Sequence, residues 1–236
     1  TLDRSSAASD VYKRQILCTI RALLKKQSIM NFEKARYNMV EQQIRPYDVL
    51  DLVLLSVLSE IPRENFVLPE EKKLAYAELP LHLLNGGTML KPALAARLIQ
   101  TLQLDPESKV LEIGTGSGYV TAILAKLSSF VVSVDQDPQQ LTFAKDALAD
   151  LYIDNIELIK TDGLNYGLHI QDKQYDAIYI GGAVHRVPEV LLSALKENGR
   201  LVAIVASHFP MQAIRFERDS AAVSYTHLTL PTSDLV

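Results

Sequence analysis

The stretch KVLEIGTGSGY (residues 109–119) decides the fold, because it joins an apolar run to a glycine-rich turn and then to a helix. Its first half has the short, β-branched character of a buried strand, and residues 119–127 have helical spacing. Gly114, Gly116 and Gly118 allow the chain between them to turn tightly and to approach a ligand closely. A helix that begins after such a turn offers backbone N–H groups to an anion. The stretch therefore predicts a ligand site where the first strand of a parallel sheet ends.

After this stretch, β-rich runs alternate with helical ones, a pattern typical of a parallel sheet covered by helices on both faces. The predicted strands are 110–113, 130–134, 156–159, 175–180 and 200–205, with 211–218 as a candidate sixth. The predicted helices are 119–127, 138–150 and 187–196. The fold class is therefore α/β, with a Rossmann-like sheet over residues 107–219.

The region before the sheet, residues 30–106, is predicted to be largely helical, because it has no glycine before Gly86 and has apolar residues at helical spacing. Asp48 is the predicted N-cap of a helix that Pro62 ends. Pro92 suits the first turn of another helix, which runs through Leu102. We expect these helices to pack onto the α/β unit and to help shape its site; a separate binding module is the alternative.

The spacing of the glycines separates two classes of cofactor. A dinucleotide fingerprint, GxGxxG, needs its third glycine where this chain has Tyr119, so a nicotinamide dehydrogenase is disfavoured. The spacing GxGxG after the acidic Glu112 instead resembles motif I of S-adenosylmethionine-dependent methyltransferases. The amino-acid end of that cofactor carries a carboxylate, which can accept from the loop N–H groups, and an ammonium group, which Glu112 can attract directly or through water.

Further polar residues follow the next predicted strands. Asp135 ends the second strand, where a carboxylate can accept hydrogen bonds from both ribose hydroxyls. Asp162 follows the third strand, where an acidic side chain can accept from an adenine amino group. Each has a plainer interpretation, as a capping or turn residue. Gly181 and Gly182 end the fourth strand and allow either a close approach to a ligand or a simple entry into a helix.

Several motifs together resemble the protein-L-isoaspartate O-methyltransferase family over roughly residues 30–218. They are PRENFV, AYAELPL, VLEIGTGSGY, SVDQD, TDG and YDAIYIGGAVHRVPEVLLSALKENGRLV. The resemblance implies a protein carboxyl methyltransferase (EC 2.1.1 class) that binds S-adenosyl-L-methionine and methylates isoaspartyl residues in damaged proteins. The implied cofactor-binding residues are Glu112, Gly114, Thr115, Gly116, Ser117, Gly118, Tyr119, Asp135, Gln136, Asp162 and Gly163.

The chain departs from the family pattern in the segment that the resemblance places beside the substrate. Active relatives typically carry GQTISQP, whereas residues 86–92 read GGTMLKP. Thr88 keeps its hydroxyl and is the candidate catalytic residue, as a group that orients the acceptor. Leu90 replaces the family serine and Glu78 replaces an aspartate, which is typical of a divergent bacterial branch. The alternatives are an S-adenosylmethionine-binding protein without repair activity and a methyltransferase for another substrate.

Composition excludes other classes of protein. The single cysteine, Cys18, excludes a disulfide framework and a structural zinc site, and the scattered histidines do not form a ligand set. No apolar run approaches 18 residues, so no membrane span is expected. The net charge of −4 argues against binding to nucleic acid. We expect a cytoplasmic monomer that acts on isoaspartyl-containing proteins.

Both ends differ from the middle of the chain. Residues 1–29 carry six basic and two acidic side chains, against 18 basic and 25 acidic ones in residues 30–219. This head and the tail, residues 220–236, resemble translated sequencing-adapter DNA, with Met30 as a natural start; a basic targeting peptide is the alternative for the head. Methyltransferases of this type usually have two strands after the fifth, so we expect a missing C-terminal strand and an unpaired sheet edge.

Overall fold

The computed structural model describes residues 31–84, 86–165, 175–207, 210–220 and 222–228. The chain forms two compact units, Thr1–Ala35 and Arg36–Val236. The described part of the first unit begins a helix, in which the Asn31 carboxamide oxygen accepts from the Lys34 N–H at 2.9 Å. The predicted head, residues 1–29, lies outside the described residues. Apart from the start of that helix, everything below concerns the second unit.

The helices lie mostly where the sequence predicts them. The α-helices are α1 (Phe32–Asn38), α2 (Leu52–Glu60), α3 (Pro92–Leu102), α4 (Tyr119–Leu127), α5 (Pro138–Ala149) and α6 (Glu189–Ser193). A π-helical turn, Met39–Ile44, continues α1, and short 3-10 turns cover Arg45–Tyr47, Arg63–Asn65 and Pro69–Leu74. Helix α6 is shorter than the predicted 187–196, because a strand already begins at Leu195.

The strands form two sheets. They are β1 (Leu81–His82), β2 (Thr88–Met89), β3 (Lys109–Ile113), β4 (Phe130–Asp135), β5 (Ile156–Lys160), β6 (Tyr175–Val184), β7 (Leu195–Val205), β8 (Gln212–Arg218) and β9 (Val223–His227). Strands β1 and β2 pair antiparallel as a small ribbon, and the other seven form one sheet in the order β5-β4-β3-β6-β7-β8-β9. Strands β3 to β7 run parallel, so their carboxyl ends meet at one edge of the sheet.

The last two strands differ from the expected arrangement. Strand β8 pairs antiparallel with β7 and lies between β7 and β9, whereas β9 pairs antiparallel with β8 at the edge of the sheet, so the last strand is not inserted between other strands. The predicted unpaired edge at β8 is therefore wrong for the described residues. The cause is the alternating segment after Asp219, which supplies β9 and places Tyr225 opposite Phe216, with ring centroids 6.2 Å apart.

The sequence predicted Asp48 as the N-cap of α2, but the N-cap in the structure is Asp51. The Asp51 carboxylate accepts from the N–H groups of Val53 and Leu54, at 2.9 and 3.1 Å. Asp48 instead ends a 3-10 turn in the left-handed region, at φ 59°. Two acidic residues lie before the same apolar run, and hydrophobic spacing alone does not distinguish between them.

The helical N-terminal region packs directly onto the α/β unit, as predicted. Phe66 meets Tyr119 edge to face, with ring centroids 5.7 Å apart, and both side chains are buried. Arg63 lies over the same ring, 4.6 Å from its centroid. Since Tyr119 begins α4, immediately after the glycine-rich turn, these contacts fix the N-terminal region against the predicted site. Within the described residues, no helix is both long and apolar enough to span a membrane.

Candidate active site

A cleft of about 480 Å³ opens at the carboxyl ends of β3, β4 and β6. Of the predicted cofactor-binding residues, six line it: Gly114, Gly116, Asp135, Gln136, Asp162 and Gly163. Thr88, from the β1–β2 ribbon, lines the same cleft, as do Gly181 and Gly182. The topology thus brings together residues that are distant in sequence, at the place where ligands of open parallel sheets bind.

A smaller cavity, of about 60 Å³, lies next to the cleft. Thr88, Gly114 and Gly116 line both spaces, so the two adjoin. Four predicted residues, Glu112, Thr115, Ser117 and Tyr119, line this cavity and not the cleft. Arg63 and Tyr179, which the sequence did not single out, complete its polar lining. The predicted site residues therefore divide between two connected spaces.

One predicted glycine, Gly118, lines neither space. A Cβ atom on it would lie 3.0 Å from the Cβ of Ala144 in α5, and its φ of 83° is in the left-handed region. The left-handed backbone and the close packing against α5 are enough to explain why position 118 is a glycine, and neither involves a ligand.

The glycine-rich loop already uses most of its N–H groups internally. The N–H groups of Gly114 and Thr115 both donate to the Val134 carbonyl, at 2.8 and 3.2 Å. The N–H of Gly116 donates to Asp135, and that of Gly118 donates to the Thr115 carbonyl. The expected role of these four groups, as donors to a ligand carboxylate, is therefore not available in this conformation, because internal acceptors already satisfy them.

Asp135 holds the loop in place at the end of β4. One carboxylate oxygen accepts from the Gly116 N–H and the other from the Asp137 N–H, each at 3.0 Å. A carboxylate has about four lone-pair sites, so two remain for a ligand. The same side chain can thus order the loop and accept from hydroxyl groups in the cleft.

Asp162 and Gly163, which follow β5, line the same cleft. Asp162 is exposed and accepts from the Leu164 N–H and the Asn165 amide, at 3.1 and 2.6 Å, which is the geometry of a turn. A Cβ atom on Gly163 would lie 2.5 Å from Ile113 Cγ2 and 2.8 Å from Val134 Cγ2. Only glycine fits between these core side chains, so Gly163 keeps the wall of the cleft close to the sheet.

Glu112 is fully buried and belongs to a polar row across the sheet. Ser133 on β4 and Tyr179 on β6 are its register neighbours. One oxygen of the Glu112 carboxyl accepts from the hydroxyls of Thr121 and Ser133, at 2.5 and 2.6 Å, and Oε1 has no hydrogen-bond partner among the described residues. Burial raises the pKa of Glu112 to about 8, although these two hydrogen bonds oppose the change. The residue is therefore mostly neutral at pH 7 until a cation approaches.

Arg63, from the PRENFV segment, is the residue that sequence reasoning missed. It is 1% exposed, and one of its nitrogens donates to the Leu90 carbonyl at 2.9 Å. Burial lowers its pKa, which the neighbouring Tyr119 and Glu78 partly offset. Only its position within the PRENFV motif could have identified it as a site residue. Nothing in the local sequence pattern distinguishes a buried arginine from one on the surface.

The segment that departs from the family pattern forms the rim shared by the two spaces. Thr88 is exposed, while Leu90 lines the small cavity and holds Arg63 through its backbone carbonyl. Glu78 accepts from the Ala93 N–H at 3.2 Å and so caps the start of α3. Burial raises the pKa of Glu78. Glu78 therefore has a structural role at the edge of the site.

The histidines within the described residues do not line the cleft. His82 pairs with Glu71, at 2.6 Å, and His185, which follows β6, is exposed in a separate depression beside Phe216. His169 and His208 lie outside the described residues. No group of three histidine, cysteine or acidic residues suited to a metal ion occurs in the part of the chain that the structure describes.

Known proteins match this chain over most of its length. The family model for protein-L-isoaspartate(D-aspartate) O-methyltransferase matches residues 33–229. Protein-L-isoaspartate O-methyltransferase 1 of Syntrophobacter fumaroxidans is 33% identical over 201 residues, which is 85% of this chain and 92% of the relative. The protein-L-isoaspartate O-methyltransferase of Methanoculleus marisnigri is 37% identical over 73% of this chain and 77% of its own.

Solved structures agree in fold. A protein-L-isoaspartate O-methyltransferase superposes with a TM-score of 0.68 at 25% identity, covering 82% of this chain and 63% of that chain. A Plasmodium falciparum protein, described as a putative enzyme of the same name in complex with S-adenosyl-L-homocysteine, also gives a TM-score of 0.68, at 21% identity over 84% of this chain and 94% of that chain. With the match of the family model to 33–229, these findings show that the chain belongs to the protein-L-isoaspartate(D-aspartate) O-methyltransferase family.

Proposed function

We propose that the chain transfers the methyl group of S-adenosyl-L-methionine to the carboxylate of isoaspartyl residues in damaged proteins. One observation supports this most directly: Thr88, from the segment expected beside the substrate, lines the same cleft as Asp135 and the glycine-rich loop. A donor held by the loop side of the cleft and an acceptor held by the Thr88 side would meet without any movement of the sheet.

The residues present fit this cofactor. Gly163 and Gly181 let the walls of the cleft pack closely onto the sheet and the glycine-rich loop, where a side chain would collide with the protein; a Cβ on Gly181 would lie 3.1 Å from the Gly114 carbonyl oxygen. Glu112 presents an unpartnered oxygen to the adjoining cavity. Asp135 keeps two lone-pair sites beyond its contacts with the loop.

Each of these residues has a defined part in the proposed complex. Asp135 would accept from the ribose hydroxyls, Asp162 from the adenine amino group, and Glu112 would pair with the ammonium group. Gln136, exposed at the cleft beside Asp135, and Gly114 would border the same ligand. When bound, S-adenosyl-L-methionine supplies a methyl group that is already activated by its sulfonium.

The chain itself has little chemistry to perform. An isoaspartyl carboxylate is ionised at neutral pH and is a sufficient nucleophile, so no general base is required. The contribution of the protein is to align the acceptor and to exclude water from the methyl group. Thr88 lines both the cleft and the small cavity, and its hydroxyl would orient the acceptor carboxylate.

The test is methyl transfer by the full chain from labelled S-adenosyl-L-methionine to an isoaspartyl peptide and to its aspartyl twin. We expect label only in the isoaspartyl peptide, base-labile as a methyl ester should be. Thr88→Val should lower the transfer rate about 10-fold or more, and Thr88→Ser should largely retain it, because it keeps the hydroxyl. Equal labelling of the two peptides would contradict the proposed substrate.

Leu90 favours a second candidate function, a protein that binds the cofactor but has lost repair activity. A leucine can neither donate nor accept a hydrogen bond where active relatives have a serine. Calorimetry with S-adenosyl-L-homocysteine separates the two functions: binding without transfer to any isoaspartyl peptide supports the second. Tight binding of NAD without binding of S-adenosyl-L-homocysteine would contradict both.

The proposal also includes the oligomeric state, the cellular location and the class of partner. We infer a monomer in the cytoplasm that acts on proteins and does not bind nucleic acid, in keeping with the acidic middle of the chain. Light scattering during gel filtration measures the oligomeric state, and a mass of two chains would contradict the monomer.

A further inference from the structure

We propose that Arg63, Tyr119 and Tyr179 form a subsite that receives a carboxylate of a ligand in the small cavity behind the glycine-rich loop. The inference rests on the proposed function, because the carboxylate would belong either to the methyl donor or to the acceptor.

The guanidinium of Arg63 is a buried charge without an ion pair. Its Nε has no hydrogen-bond partner, and no ion pair of Arg63 is found among the described residues. The ring and hydroxyl of Tyr119, the carbonyl of Leu90 and the more distant charge of Glu78 compensate it only in part. A guanidinium does not lose its proton in a protein, so the cost of burying this charge cannot be avoided by deprotonation. Such a cost favours an anion that arrives with a ligand.

Two hydroxyl groups beside Arg63 are also unpartnered. Tyr119 is 2% exposed and Tyr179 is 1% exposed; the Tyr119 hydroxyl lies beside the Arg63 guanidinium, and neither hydroxyl has an acceptor for its proton in the described part of the chain. Both residues line the cavity with Arg63. Buried polar groups in native proteins are almost always hydrogen-bonded, so three unpartnered donors around one space indicate something that accepts from all of them.

The other potential anion-binding groups at the site are already in use. Four N–H groups of the glycine-rich loop donate to acceptors within the protein. In the first turn of α4 the Tyr119 N–H donates to the Ser117 hydroxyl at 3.3 Å, but Val120 also lines the cavity, and the N-terminus of this nine-residue helix carries a partial positive charge. A carboxylate in the cavity would thus meet a full charge, a helix N-terminus and two hydroxyls.

The size of the cavity favours a carboxylate over a larger anion. Glu112 in addition offers a partner to a cation beside that carboxylate. The cavity of about 60 Å³ holds a few water molecules, and a phosphate with its substituents would be crowded there. Glu112 lines the same space and can pair with a cation that accompanies the carboxylate. The α-amino-acid end of the donor carries both required groups; the isoaspartyl acceptor carries the carboxylate alone.

The experiment compares Arg63→Met with Arg97→Met, in the full chain. Arg97 contacts the carbonyls of Tyr47 and Asp48 and does not line the cavity, so it controls for the loss of a guanidinium. Calorimetry measures binding of S-adenosyl-L-methionine and of its decarboxylated form, and kinetics measure the KM for an isoaspartyl peptide. Tyr179→Phe, which removes only an unpartnered hydroxyl, replaces Arg63→Met if that variant does not fold.

The two sources of carboxylate give different results. If the donor supplies it, wild type should prefer the intact donor about 10- to 100-fold over the decarboxylated form, and Arg63→Met should abolish this preference. If the acceptor supplies it, donor affinity should stay unchanged and the KM for the peptide should rise by a similar factor. Unchanged donor affinity and KM in Arg63→Met and Tyr179→Phe would overturn the inference. Failure of wild type to bind the donor would instead contradict the proposed function.

Discussion

Replacing Glu112 by glutamine should change how stability depends on pH. The folded protein holds this carboxyl at a pKa of about 8, against 4.5 when unperturbed, because burial disfavours its charged form. The folded state therefore binds a proton that the unfolded state has released between these pH values. The contribution of Glu112 is most favourable below pH 4.5 and is lost as the pH rises to 8, by roughly 5 kcal/mol in total.

Glutamine keeps the shape of the side chain and an oxygen that can accept from Ser133 or Thr121, but it does not titrate. Urea unfolding measures the free energy of unfolding of both proteins. The value for Glu112→Gln minus that for wild type should therefore increase by about 3 kcal/mol between pH 5.5 and pH 8. Comparing the two proteins cancels the titration of every other group. Glu157→Gln makes the same change at an exposed position of β5 and should track wild type.

A parallel pH dependence in wild type and Glu112→Gln would refute this reasoning, because it would show that Glu112 has the same pKa in the folded and the unfolded protein.

The same titration has a consequence for binding. A ligand with an ammonium group stabilises the ionised carboxyl, so binding at pH 7 should release up to one proton. Calorimetry in buffers of different ionisation enthalpy measures that release, and Glu112→Gln should not show it.

Three smaller changes test other parts of the structure. Asp135→Asn removes a charged acceptor of the Gly116 N–H and of the proposed ribose contact, and should weaken S-adenosyl-L-homocysteine about 10-fold or more in calorimetry, while Asp137→Asn should not. Gly163→Ala places a Cβ against the core and should lower the free energy of unfolding by about 1–3 kcal/mol, measured in urea. Asp51→Ala removes the cap of α2 and should cost about 1 kcal/mol, whereas Asp48→Ala should cost less.

The sequence predicted the parts of the fold that local patterns determine. Strand and helix alternation after Lys109 follows from hydrophobic spacing and from the turn glycines, and the structure confirms the parallel strands β3 to β7. The predictions were wrong where two residues gave equally good N-cap signals, and where the pairing between strands determined whether a strand forms. Asp48 and Asp51 both precede the same helix, and β9 exists because β8 offers it an edge, which a count of expected strands could not show.

The site was predictable to the extent that it lies at strand ends. Asp135, Asp162 and Gly163 line the cleft because the carboxyl ends of parallel strands meet there. The division of the site into a cleft and a buried cavity was not predictable, because it depends on which side of the loop each residue faces. Glu112 lies behind the loop with its carboxyl buried, and only its depth gives it a raised pKa.

The loop and the N-terminal region are two halves of one electrostatic arrangement. A glycine-rich turn that satisfies its own N–H groups is rigid, but it has few donors left for an anion. The missing positive charge comes from Arg63, some fifty residues earlier in the chain, and the same guanidinium holds the Leu90 carbonyl. The segment that carries Thr88 is therefore anchored through its backbone. Because a backbone carbonyl is present whatever the side chain, replacement of the family serine by Leu90 removes a hydroxyl without releasing the segment, which is the physical basis for expecting activity to survive it.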